Sequence, residues 1–203
     1  MAQQIDSIVF DLGGVLIDWN PKYVYRDYFD SSDDLDYFFD NVCTSQWNEE
    51  QDAGKPLHIA TQERITAYPE WEQAIRDFYG RWEEMLGGPI IGTVELFKKL
   101  KETGKYKFYA LTNWSAETFP VALARYDFLH WFDGRLVSGE ENMAKPNPEI
   151  FSRLIDRFNL NSEKTVFIDD NLRNLKAAEP YFASCIAFTS PEELEIDLNK
   201  LLI

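Results

Sequence analysis

The sequence predicts an α/β fold: a parallel sheet flanked by helices, interrupted by an inserted helical block. Three observations carry that expectation. A β-branched run near the N-terminus stops at paired glycines, a long stretch of helical periodicity follows, and short apolar runs then alternate with amphipathic ones. Such alternation needs crossover connections, which place helices on both faces of a parallel sheet.

Residues 5–11, Ile-Asp-Ser-Ile-Val-Phe-Asp, form the first expected strand, ending before Gly13-Gly14. From Pro21 to Leu86 the apolar spacing turns to three and four: Tyr23, Tyr28 and Phe29, then Leu35, Phe38, Phe39 and Val42, then Ile59, Ile65, Trp71, Ile75, Phe78 and Trp82. Gly54 and Pro56 break this block, because proline suits a helix start and not its interior. Gly87-Gly88-Pro89 punctuates the chain. Beyond it, helices are expected over 94–100, 116–125 and 149–158, from Asn171, and after Pro191. Strands are expected over 107–112, 134–138, 165–169 and 184–188. The first strand should join these later ones, so 1–17 and 89–203 read as the core and 18–88 as a helical cap.

At 203 residues the chain can remove roughly 70% of its unfolded surface from water, enough for a core without disulfide or metal staples. With 45% hydrophobic and 15% aromatic residues, disorder is excluded. Thirty-five acidic against 20 basic side chains give a net charge of −15, which repels nucleic acid and anionic lipid, and no basic patch offsets it. The imbalance peaks between Arg26 and Asp52, where Asp27, Asp30, Asp33, Asp34, Asp36, Asp40, Glu49, Glu50 and Asp52 read as a solvated helical face. Cys43 and Cys185 lie far apart without metal-ligand spacing, as expected of a reducing compartment. No window approaches the roughly 20 apolar residues that span a bilayer, and the start lacks a basic-then-apolar leader, so a cytoplasmic location is expected.

In open parallel sheets, reactive groups lie at the carboxyl ends of strands. Here those ends carry Asp11, Thr112-Asn113 and Asp169-Asp170-Asn171, and Lys145 precedes a later helix. Singly, each has a plain structural role: Asp and Asn cap helices, Asp11 suits a turn, and Lys145 suits a surface beside proline. Together they conflict, since two carboxylates about 4 Å apart repel by about 4 kcal/mol at an effective dielectric near 20. A divalent cation relieves the conflict, and all-oxygen donors select a hard ion such as Mg²⁺.

Phe10-Asp11-Leu12-Gly13-Gly14-Val15-Leu16, Leu111-Thr112-Asn113, Lys145-Pro146 with Asn147-Pro148-Glu149-Ile150-Phe151, and Phe167-Ile168-Asp169-Asp170-Asn171 resemble the four motifs of the haloacid dehalogenase superfamily, in order. The resemblance spans nearly the whole chain and implies a Rossmann-like core. The block from about Asp18 to Gly88 falls where one branch of that superfamily inserts a small helical cap.

What the resemblance implies is a Mg²⁺-dependent phosphatase. Asp11 would be the nucleophile, forming an aspartyl-phosphate. An Asp11 oxygen, the Gly13 carbonyl and the pair Asp169 and Asp170 would hold the metal, with Asp170 the first choice for a direct ligand. Thr112, the Asn113 amide and Lys145 would bind phosphoryl oxygens. The substrate would be a small phosphorylated metabolite, the assembly a monomer or weak homodimer.

Gly13 departs from the pattern. Most phosphatases of the superfamily carry a second aspartate there, which protonates the leaving oxygen; glycine cannot, and the sequence does not reveal a substitute. Two alternatives therefore stand: a 2-haloacid dehalogenase, whose halide needs no proton, and a low-activity phosphate-binding or interaction protein. The intact Asp169-Asp170 pair favours the phosphatase, and the Phe-Asp-Leu-Gly-Gly-Val-Leu form resembles relatives of bacterial glucose-1-phosphate phosphatase, which implies a sugar phosphate. Substrate contacts are expected from the helical block. Trp19, Trp47, Lys55 and His58 are the candidates, with Trp71 and Trp82 expected inside that block's own core.

Overall fold

The computed structural model describes residues 4–202. Strands β1 (Ser7–Phe10), β4 (Lys107–Thr112), β5 (Gly134–Val137), β6 (Thr165–Asp169) and β7 (Ser184–Ala187) form one sheet in the order β5-β4-β1-β6-β7. All of its pairings are parallel, with Phe10 opposite Ala110 on one side and Ile168 on the other. The strand between β4 and β6 is buried at every position. Its side chains alternate: Ile8 and Phe10 join Phe97, Phe108 and Ile168 on one face, and Val9 joins Phe151, Leu154 and Phe167 on the other. Burial on both faces is what a parallel sheet with helical crossovers demands.

The expected core elements form, with ends displaced by a few residues. The helix expected over 116–125 begins at Phe119, because residues 114–118 instead make a loop around Ser115. The strand expected through Ser138 stops at Val137, and Ser138 opens the short helix Ser138–Glu141.

Two strands correct the sequence reading. β2 (Ile17–Trp19) and β3 (Leu86–Pro89) form an antiparallel ribbon, with Ile17 opposite Pro89 and Asp18 opposite Gly88, where Gly87-Gly88-Pro89 reads as a chain break. Glycine is needed in this strand because a Cβ on Gly87 would lie 2.2 Å from an Asp18 carboxylate oxygen and Gly88 has φ +119°. Backbone pairing with β2 supplies what the side chains do not.

Between the two ribbon strands every described element is helical: Lys22–Tyr25, Ser32–Tyr37, a π-helical turn at Phe38–Val42, Ser45–Asp52, Leu57–Ala67 and Glu72–Gly80 are the main ones. They enclose an aromatic centre in which Tyr25 packs on Phe29, Phe38 and Phe39, and Trp47 meets Phe78 edge-on. The break at Gly54 and Pro56 separates Ser45–Asp52 from Leu57–Ala67, as the sequence indicates. Among the described residues no helix is long and apolar enough to cross a membrane, and both cysteines are free.

Candidate active site

The sheet register brings the expected residues together. β1 ends at Phe10, and the next amide, that of Asp11, donates to the Ile168 carbonyl at 2.8 Å, holding Asp11 beside the end of β6. Asp11 is buried, Asp169 fully so, and Asp170 lies on the exposed rim. Oxygens from these three carboxylates lie within 4.8 Å of one another.

Lys145 enters this cluster from below. Its Nζ donates to Asp11 Oδ2 at 2.9 Å, to Asp169 Oδ2 at 2.7 Å and to the Leu111 carbonyl at 2.8 Å. Three ammonium protons thus have three protein acceptors. Asn113 fixes the lysine from behind, its side-chain amide donating to the Lys145 carbonyl at 2.8 Å and its Oδ1 accepting from the Lys145 amide at 2.8 Å. Asp169 accepts further bonds from the Asn171 amide and from Asn174, so both its oxygens are engaged. Asn174 is a partner that the sequence motif does not announce.

One ammonium against three ionised carboxylates leaves an excess of two negative charges, two of the carboxylates being buried. Burial pushes the Asp11 carboxyl well above the usual carboxylate range, and Lys145 only partly offsets it while Asp169 adds to it. Burial and then Asp169 likewise raise Asp170. Lys145 is held charged, the pull of Asp11 and Asp169 overcoming its desolvation. An all-oxygen set with unneutralised charge fits a hard divalent cation. The backbone fits too: Gly14 sits at φ +73°, and a Cβ there would come within 2.2 Å of Asp170 Oδ2. Thr112 Oγ1 is buried and makes no hydrogen bond within the protein, the state of a donor awaiting an acceptor.

Next to this cluster lies a cavity of about 70 Å³, room for a few water molecules, lined by Gly13, Asn113, Trp114, Ser115 and Thr118 on one side. Trp19, Asn48, Asp52, Tyr79 and Trp82 line it from the ribbon and the helical block. Trp19 is one of the lining residues. Trp82 is a correction: it meets Trp114 edge-on at 5.6 Å across the cavity rather than packing only within its own block. Trp71 does stay within the block, stacked on Tyr37 at 5.7 Å. Trp47 is buried against Phe78 and Tyr79, Lys55 pairs with Glu50 and Glu63, and His58 is exposed; none of the three lines the cavity.

Asp52 is the second correction. The other aspartates of the acidic stretch, from Asp27 to Asp40, are exposed as expected of a solvated face. Asp52 instead ends its helix against the core, half-buried, and its carboxyl is pushed up to about 7, mainly by desolvation. In the sequence Asp52 follows Glu49 and Glu50 and reads as one more member of the acidic run.

The profile of haloacid dehalogenase-like hydrolases matches residues 5–180. The chain belongs to this family. Among relatives of the hydrolase, a sesquiterpene phosphatase from Aspergillus oryzae is 25% identical over 88% of this chain and 87% of its own. A phosphorylated carbohydrates phosphatase from Thermotoga maritima is 23% identical over 86% of this chain and 81% of its own. In fold, the hydrolase is similar to a haloacid dehalogenase family enzyme from Bacteroides thetaiotaomicron in its magnesium complex, with TM-score 0.72, 22% identity, and 96% and 98% of the two chains covered. That enzyme has also been crystallised with magnesium and inorganic phosphate.

Proposed function

We propose that the hydrolase is a Mg²⁺-dependent phosphomonoesterase that works through an aspartyl-phosphate on Asp11. The observation that carries this reading is the shared ammonium of Lys145, 2.9 Å from Asp11 and 2.7 Å from Asp169, within a three-carboxylate cluster it cannot neutralise alone. Asp11, Asp170 and the Gly13 carbonyl would hold the cation. Asp169, whose oxygens already serve Lys145, Asn171 and Asn174, would act chiefly by orienting that set. Bound there, Mg²⁺ would draw charge from the phosphoryl oxygens and keep Asp11 ionised.

The protein's own groups do the rest. Lys145 favours the ionised form of Asp11 and aims it through Oδ2, while Oδ1 accepts the Leu12 amide at 2.7 Å. Thr112 Oγ1, with the Asn113 amide, receives a phosphoryl oxygen, where charge spreads during transfer. Residues 18–88 would serve as a cap on a core made of 1–17 and 89–203. The cavity is small beside a sugar, and a tilt of the helical block would widen it for entry.

The cavity mixes polar side chains, Asn48, Asp52, Asn113, Ser115 and Thr118, with aromatic ones, which suits the hydroxyls and C–H face of a sugar phosphate. The quartet of Trp19, Tyr79, Trp82 and Trp114 also favours a second reading, the monophosphate of an apolar terpenoid alcohol. The name of the A. oryzae relative supports that second reading and the name of the T. maritima relative the first. The test is phosphate release from a panel of sugar and terpenyl monophosphates, with and without EDTA, and chloroacetate as control. Metal-dependent phosphate release, lost in Asp11→Asn, is expected. Metal-independent halide release would replace the reading with a dehalogenase.

A further inference from the structure

Hydrolysis of an alkyl phosphate releases a strongly basic oxygen, and its departure is slow unless a proton arrives as the P–O bond breaks. No side chain at Gly13 supplies that proton. The space there is open: a Cβ on Gly13 would have nothing within 4 Å, and Gly13 itself forms part of the cavity wall. Across that cavity stands Asp52, which nothing in the motifs singles out.

We infer that Asp52 is the general acid and base of the hydrolase, delivering its proton across the cavity to the leaving oxygen. The inference rests on the aspartyl-phosphate reading and completes it. Asp52 is the only carboxyl group that lines this cavity among the described residues. It is held from three sides: Asn48 Nδ2 donates to its Oδ2 at 2.9 Å, the Ser115 amide donates to its carboxyl, and Ser138 Oγ donates to its backbone carbonyl. Such fixing is what a proton donor needs, because transfer depends on position before acidity.

The electrostatic setting matches. Asp52 closes the Ser45–Asp52 helix, whose C-terminal end disfavours negative charge, and Glu49 one turn earlier disfavours it further. Tyr79, from the Glu72–Gly80 helix, lies within electrostatic reach of both Asp52 and Glu117, and neither it nor Glu117 brings positive charge. Trp19, Trp82 and Trp114 give this part of the cavity apolar walls. The carboxyl therefore keeps its proton to about 7, inside the range where a group can both give and take one.

The balance closes over two steps. An Asp11 oxygen attacks phosphorus, the ester P–O bond breaks, and its electron pair stays on the ester oxygen, which takes the Asp52 proton and leaves as an alcohol. Water then attacks the phosphorus while the Asp52 carboxylate takes a water proton. The P–O bond to Asp11 breaks, its electron pair returns to the carboxylate, inorganic phosphate leaves, and Asp52 is again an acid.

Asp52→Asn tests this, with Asp52→Glu and Asp11→Asn beside it. The substrates are 2-phenylethyl phosphate, whose alkoxide needs a proton, and p-nitrophenyl phosphate, whose phenolate does not. Asp52→Asn should slow the first turnover of 2-phenylethyl phosphate about 10²- to 10⁴-fold. It should keep the p-nitrophenol burst and accumulate acid-stable phosphoenzyme, with Asp52→Glu partly restoring turnover. Equal losses on both substrates, or none, with Asp11→Asn inactive, would overturn the role of Asp52 and leave the phosphatase reading intact. Wild-type protein that forms no phosphoenzyme and matches Asp11→Asn would overturn both. The burst keeps the outcome separate from misfolding, since a collapsed site loses it.

Discussion

At the residue scale, two adjacent glycines do different work. Gly14 occupies the left-handed region and lets the Asp170 carboxylate approach its Cα, whereas Gly13 is in an ordinary conformation with open space beside it. Gly14→Ala should therefore cost more than about 1–2 kcal/mol, the left-handed penalty with a clash added, and displace Asp170. Gly13→Ala should stay within about 0.5 kcal/mol, as surface changes do. Chemical denaturation measures both, and a fall in apparent Mg²⁺ affinity confined to Gly14→Ala would tie the close approach to the metal set. Equal stability losses would refute the distinction. The sequence carried this site unevenly. Asp11, Asp169 and Asp170 are legible because a parallel sheet delivers strand ends to one edge, and their carboxylates do meet there, whereas Lys145, which precedes a helix, is legible only through its motif. Asp52 was not legible, because acidity in a helix usually marks solvent, and only the packed structure shows one member of the run turned inward.

At the scale of elements, the strands over 107–112 and 165–169 were readable to the residue, since buried strands between helices have few competing patterns. The β2–β3 ribbon was not, because Leu86-Gly87-Gly88-Pro89 has poor intrinsic strand preference and pairs only once its partner is present. The same holds for the contacts that seat the helical block. The Leu57–Ala67 helix begins after Pro56 with no side-chain cap of its own; Glu117, from the loop after β4, accepts the Leu57 amide at 2.8 Å instead. Ser138 is fully buried, accepts the Trp114 amide at 2.8 Å and donates to the Asp52 carbonyl. Glu117→Ala should cost about 1 kcal/mol, an ordinary capping loss. Ser138→Ala should cost about 1–3 kcal/mol, because it strands two buried backbone groups. Ser138→Ala should also lower turnover of alkyl phosphates more than of p-nitrophenyl phosphate, since Asp52 loses its anchor. A uniform fall on both substrates would make Ser138 a purely structural residue.

At the scale of the whole molecule, stability and metal binding are coupled through protons. Asp11, Asp170 and Asp52 all have carboxyls raised above their ordinary range, chiefly by burial, so the folded chain binds more protons than the unfolded one over that range. The sign follows from linkage. Stability contributed by these protonated groups is full below their unfolded pKa values and is lost as pH rises through the folded ones, near about 7 for Asp52. The net charge of −15 pushes the same way by self-repulsion. In EDTA, Tm should therefore fall between about pH 5 and about pH 8. Mg²⁺ at a hundred times its Kd should restore about 2.7 kcal/mol. At a fixed Mg²⁺ concentration the increment should be larger at the higher pH, where the cation no longer competes with protons. The two acidic sites then separate cleanly. Asp170→Asn should abolish the Mg²⁺ increment, because it removes an oxygen charge from the cluster, whereas Asp52→Asn should flatten the fall in Tm and leave the increment in place. The neutral side chain at position 52 escapes a desolvation penalty of at most about 4 kcal/mol, so that variant should be the more stable protein above neutral pH. Calorimetric scans of the three proteins across this range decide it: a Mg²⁺ increment lost in Asp52→Asn would place that residue in the metal cluster and not in the cavity beside it.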